Sequence, residues 1–171
     1  LKGVLKHKDN MSDEWIPVLP GEVQVMSAGT GVQHSEINGS VDEHLSLFQI
    51  WIFSDKQNVT PRYDQKKFDA NERKNKLHAL VTSIDETYEG SLKIHQDAII
   101  SRIDLSKSHA FDYKLKSKNH GVYIMNVSGK VLIDKTVLES RDAAGIWETD
   151  AFKINTEEDT SLLFIEVPMN F

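Results

Sequence analysis

Short extended segments set the fold class of this chain. Val23–Met26, Leu45–Phe53, Val122–Val127, Val131–Ile133 and Leu162–Val167 are rich in β-branched or aromatic residues, and each is bounded by Gly, Pro, Asn, Asp or Ser. In Leu45–Phe53, one alternating set reads Leu45, Leu47, Gln49, Trp51, Phe53 and the other Ser46, Phe48, Ile50, Ile52. Both sets are largely apolar, which predicts a strand covered on both sides. Turn signals recur at Pro20-Gly21, Gly29-Thr30-Gly31, Asn38-Gly39, Gly90, Gly121 and Ser128-Gly129, a spacing that suits an all-β sandwich. Helical signal is thin. At Asp69-Ala70-Asn71-Glu72 an N-cap and a reaching acid predict one or two turns, followed by a strand from Lys76 to Thr82.

A chain of 171 residues accommodates one large domain or two small ones. It has no cysteine, which excludes disulfides, thiolate metal sites and a Cys nucleophile, and agrees with a reducing cytoplasm. Apolar runs are as short as Leu162-Leu163-Phe164-Ile165, far below the ~20 residues of a membrane-spanning helix. Leu1-Lys2-Gly3-Val4-Leu5 carries no signal-peptide pattern. The net charge is −6, and the densest basic cluster, Lys66-Lys67 through Arg73-Lys74-Lys76, is broken by Asp69 and Glu72. Direct nucleic-acid binding, which needs a concentrated basic face, is not expected. A cytoplasmic location and no membrane partner are.

The two halves align as an internal repeat. Val127-Ser128-Gly129-Lys130-Val131-Leu132 matches Leu1-Lys2-Gly3-Val4-Leu5-Lys6, Asp142–Trp147 loosely matches Pro20–Val25, and Leu162–Val167 stands where Leu47–Ile52 stands. The expected organisation is a first unit over residues 1–60, a polar connector over 61–90 and a second unit over 91–171. The second unit has 38 residues, Ser91 through Ser128, before Gly129, against two before Gly3. On that reading the first unit is N-terminally incomplete, and Leu1 is not expected to be the biological start.

The strongest candidate site is Gly29-Thr30-Gly31-Val32-Gln33-His34-Ser35-Glu36. A Gly-rich turn feeds a short strand, on which positions 34 and 36 point to the same side. An imidazole and a carboxylate so placed can grip Fe, Mn, Ni, Cu or Zn. Two ligands are too few for a durable site, so partners must come from elsewhere. The plainer reading is an exposed pair at a strand end, with Glu36 in a surface ion pair. His7, among Lys6, Lys8 and Asp9, reads as solvated, and His44 as a loop residue. His78, His95, His109 and His120 lie in polar surroundings without ligand spacing. Trp15, Trp51 and Trp147 read as core or rim aromatics. No phosphate loop, nucleophile elbow or His-Glu-x-x-His helix is present.

Asp9-Asn10-Met11 and Pro20 through Glu36 resemble the signature of the pirin family, and Leu47–Ile52 and Thr60–Gln65 resemble its next two blocks. The likeness is dense from Gly3 to Phe68 and continues more loosely to Phe171. It implies a bicupin, two jelly-roll β-barrels in tandem, with one metal in the first barrel and a degenerate second barrel without ligands. The family holds its metal by a His-x-His pair, a further His and a Glu. The last two fall on His34 and Glu36, and the pair falls upstream of Leu1. The resemblance implies one divalent transition metal, iron(II) first, with Cu, Ni, Mn, Co or Zn as substitutes. It also implies a monomeric dioxygenase that cleaves flavonols such as quercetin with O₂. In it Glu36 would be the base for the 3-hydroxyl proton, and Met26, Leu47 and Gln49 part of the cavity wall. Two alternatives stand beside it: a non-enzymatic metal-containing regulator that works through a protein partner, as some members are described, or a chain that binds no metal.

Overall fold

The computed structural model describes residues 1–169. Its strands are β1 (Leu5–Asp9), β2 (Ser12–Val18), β3 (Glu22–Ser27), β4 (His34–Asn38), β5 (Arg62–Lys67), β6 (His78–Ser83), β7 (Leu92–Ile94) and β8 (Ile99–Leu105), continuing with β9 (Ala110–Lys114), β10 (His120–Ser128), β11 (Val131–Ile133), β12 (Thr136–Leu138), β13 (Ala143–Ile146), β14 (Ala151–Thr156) and β15 (Thr160–Pro168). Among the described residues there is one 3₁₀ turn, Ala70–Arg73, capped by the Asp69 side chain on the Asn71 N–H. The all-β expectation holds. The segment 61–90 carries β5, which pairs with β3, and β6, which pairs with β8.

Two sheets build the C-terminal half. One runs β13-β10-β15-β8-β6-β7 and the other β12-β11-β14-β9, with antiparallel neighbours except for the parallel pair β6–β7. Between them lies a core that includes Ile103, Val122, Ile124, Ile133, Phe152, Ile154, Leu162 and Phe164. The opposite face of the six-stranded sheet buries Val81, Ile100 and Leu163 against Val25 of β3, Leu92 and Phe68. Both faces of β15 are therefore covered, so Leu162-Leu163-Phe164 runs apolar without alternation.

The N-terminal half uses two smaller sheets, β2-β1-β4 and β3-β5. The first repeats the arrangement β12-β11-β14 of the other half: a hairpin whose first strand also pairs with a later strand. Gly3 and Gly129, matched in the repeat, both have positive φ (77° and 88°), and each turns the chain into the first strand of its hairpin. A Cβ there would fall 2.7 Å from the His44 carbonyl oxygen or 2.4 Å from that of Asp159.

Leu45–Phe53 corrects the expectation of a doubly covered strand. It forms no ladder among the described residues beyond one bridge, Ser46 to Lys2, and Trp51 and Phe53 are 88% and 94% exposed. Its counterpart β15 is a strand because β10 and β8 flank it, and both precede Gly129. Leu45–Phe53 meets no such flanking strands among the described residues, and backbone groups need partners to hold a strand. None of the three tryptophans reaches the core, with Trp15 42% and Trp147 56% exposed.

Candidate metal site

The candidate site is assembled by register. On the β1–β4 ladder Asp9 stands opposite His34, and His7 opposite Glu36. Directly opposed residues share a face, so these four side chains lie on one side of the sheet together with Leu5. The hairpin tip is tied to the start of β4: Asn10 N–H donates to the Gln33 carbonyl, and Gln33 N–H donates to Asn10 Oδ1. The Gly29–Gly31 turn before it is anchored where Thr30 N–H donates to the Val59 carbonyl.

Glu36 is held by neutral amides. Gln24 Nε2 donates to its Oε1 at 2.6 Å, and Gln49 Nε2 donates to its Oε2 at 3.3 Å. Neither Lys nor Arg pairs with it among the described residues, so the surface ion pair envisaged above does not form. Gln24 comes from β3, where it faces Gln65 of β5, and Met26 faces Tyr63. Val23 and Val25 turn the other way into the core. The Tyr63 hydroxyl lies 2.6 Å from Gln65 Oε1 and 3.1 Å from Gln24 Oε1. Burial, and then the carboxylates of Asp9, Glu22, Glu36 and Asp64, push Tyr63 up to about 12, which keeps it a neutral donor. His34 is exposed, and its ring stacks on that of His7 with centroids 5.8 Å apart.

His7 is the main departure from the sequence reading. It is fully buried rather than solvated, with Nε2 3.0 Å from Asp9 Oδ2 and its ring stacked on Tyr63 at 4.8 Å. Lys6 and Lys8 disguise it. The usable signal was the alternation Leu5-x-His7-x-Asp9, whose members are all buried. His120 is likewise buried. Its Nδ1 lies 3.2 Å from Glu166 and its Nε2 3.2 Å from Asp97, at positions that only the strand pairing brings together.

Among the described residues, no group of three or more His, Asp or Glu is arranged to hold a metal ion. His34 and Glu36 supply two donors, a nitrogen and an oxygen, of the kind first-row divalent metals take. The buried, unpartnered Nδ1 of His7 lies 3.6 Å from Glu36 Oε1. The matching positions of the second half are apolar. Matching Gly3 to Gly129 puts Ile133 where His7 stands, and the ladder of Ile133 with Ile154 sets Ile154 and Phe152 in place of Glu36 and His34. All three are buried core residues. An open cleft of about 310 Å³, lined in part by Trp51, Phe53 and Ile165, does not include His34 or Glu36.

Two family models match the chain. Residues 1–52 match the Pirin family model, and residues 80–167 match the quercetinase C-terminal cupin domain. The chain is 38% identical over 169 residues to a quercetin 2,3-dioxygenase of Escherichia coli K12, spanning 98% of this chain and 70% of that one. In structure it resembles YhhW of Escherichia coli, with a TM-score of 0.90, 35% identity, and coverage of 98% of this chain and 69% of that one. It also resembles bacterial pirin YhhW in complex with nickel(II), with a TM-score of 0.88, 33% identity and the same coverage. The chain is a member of the pirin family of cupin proteins.

Proposed function

We propose that the chain carries the metal-bearing unit of a dioxygenase acting on flavonols such as quercetin. In this reading residues 1–60 form that unit, 91–171 a copy without ligands, and 61–90 the joint between them. One observation carries it: His34 and Glu36 share a polar face backed by Gln24, Gln49 and His7, while the matching positions of the second unit are Phe152, Ile154 and Ile133. The names of the Escherichia coli relatives support both the substrate class and a metal.

His34 and Glu36 would hold the ion, His34 through a neutral imidazole nitrogen. A divalent metal there supplies Lewis acidity at the flavonol's hydroxyl-ketone edge. Glu36 takes the 3-hydroxyl proton on a carboxylate oxygen. Gln24 and Gln49 hold that carboxylate in place, and Tyr63, neutral at working pH, offers a hydroxyl beside it. Met26 shares the face of Gln24 and so contributes apolar wall.

Titration with Ni²⁺ tests the site. The expected result is one ion per chain, with binding lost in His34→Ala and Glu36→Ala and retained in Phe152→Leu. Unchanged binding in the first two variants would remove the site.

A further inference from the structure

Of the two amides that hold Glu36, Gln24 sits in the β3–β5 ladder and Gln49 sits in none. Gln49 lies midway along Leu45–Phe53, and among the described residues no backbone group from Leu47 to Ile52 pairs with another backbone group. Such a segment takes its course from where its ends are fastened. At one end Ser46 exchanges both backbone bonds with Lys2. The other end is fastened to the β6–β7 and β7–β8 loops of the six-stranded sheet. Gln96 Nε2 donates to the Phe53 carbonyl at 2.9 Å, Asp55 N–H donates to the His95 carbonyl at 2.9 Å, and Lys56 Nζ reaches Asp85 at 3.1 Å. Phe53 is 94% exposed, so its carbonyl and not its ring makes the attachment. The Gln96 amide is itself fixed, because its Oε1 accepts from Asp97 N–H at 2.8 Å and leaves the nitrogen for Phe53. The Asp97 carboxylate is held in turn by Lys116 and His120.

On the reading that Glu36 is a metal ligand, we propose that Gln96 is a positioning residue for it: Gln96 fastens Phe53, the fastened segment presents Gln49, and Gln49 orients the Glu36 carboxylate. Gln24 ties Oε1 at 2.6 Å, and Oε2, met by Gln49 at 3.3 Å, is the oxygen whose direction the segment sets. This is outer-sphere support for a ligating carboxylate, delivered to the N-terminal half by a loop of the C-terminal half. A role confined to closing the β7–β8 loop would use only Gln96 Oε1 and the Asp97 N–H.

Gln96→Glu separates these roles, since it keeps the acceptor for Asp97 N–H and removes the donor to Phe53. Positioning predicts Ni²⁺ affinity lowered roughly 2- to 30-fold, with faster amide hydrogen exchange from Leu47 to Phe53. The added negative charge would by itself favour a cation, so a loss reports the segment and not the charge. Gln49→Ala lowers the affinity roughly 10- to 100-fold, and Gln96→Glu has no further effect in that background. Wild-type affinity in Gln96→Glu, or effects that add in the double variant, overturns the proposal. If wild-type protein binds no Ni²⁺, the metal reading fails, and the crystal structure of metal-free Gln96→Glu decides the role of Gln96. Gln49 withdrawn from Glu36 upholds it, and Gln49 still within hydrogen-bond reach of Glu36 overturns it.

Discussion

Glu36 accepts from two neutral amides. Neutral donors orient a carboxylate without cancelling its charge, so it stays available to a cation or a proton. Glu36→Ala removes both a ligand and the base, and is expected to lower flavonol turnover by at least the roughly 10²- to 10⁴-fold that a general base contributes. A variant that keeps metal and full turnover would contradict the assignment. Gln24→Ala removes the 2.6 Å donor, and calorimetry with Ni²⁺ should register an affinity about 10- to 100-fold weaker. His34 and Glu36 were legible because two residues apart on a strand means one face. His7, Asp9 and Gln24 were not singled out. The lysines at 6 and 8 mask an inward alternation, and Gln24 looks like an interruption of Val23-Gln24-Val25-Met26 until β5 is placed beside it.

β15 and Leu45–Phe53 show how a strand depends on its neighbours. The two segments have similar apolar patterns and matching places in the repeat, yet β15 has strands on both sides and Leu45–Phe53 lies against one isolated bridge. Composition reads the tendency of a segment, and ladder partners come from elsewhere in the chain. β3, β10, β11 and β15 were readable because turn residues bound them; β11 spans Val131–Ile133 as expected, and the capped turn falls at Ala70–Arg73, whereas strands such as β5, β8 and β14 were not marked out. Phe164→Ala, in the centre of β15, should cost about 3–5 kcal/mol in urea unfolding. Trp51→Ala, at an 88% exposed position, should stay within about 0.5 kcal/mol. Gly129→Ala meets both a positive φ and the Asp159 carbonyl, and should destabilise by more than about 1 kcal/mol. Equal effects at 51 and 164 would undo the assignment of the core.

At the scale of the whole molecule, a duplicated plan has diverged in its interior. The β2-β1-β4 sheet carries His7, His34 and Glu36 where β12-β11-β14 carries Ile133, Phe152 and Ile154, so the same face is polar in the first half and apolar core in the second. The second unit also holds a charged cluster. Burial pushes Asp97 up, but hydrogen bonds and charge from Lys116 and His120 outweigh it and hold the carboxyl low. Such a group contributes stability above the ordinary carboxylate pKa of about 3.9, and the contribution is lost as pH falls through its depressed value. The melting temperature should therefore drop below about pH 4, and Asp97→Asn should flatten that limb. The effect is modest because the side chain is half exposed. No described helix is long and apolar enough to cross a membrane. The central claim concerns the first unit, and oxygen uptake with quercetin by metal-loaded protein tests it most directly. Uptake that depends on added metal and collapses in Glu36→Ala is the expected result. Uptake that is absent from metal-loaded wild type, or indifferent to Glu36, would contradict it.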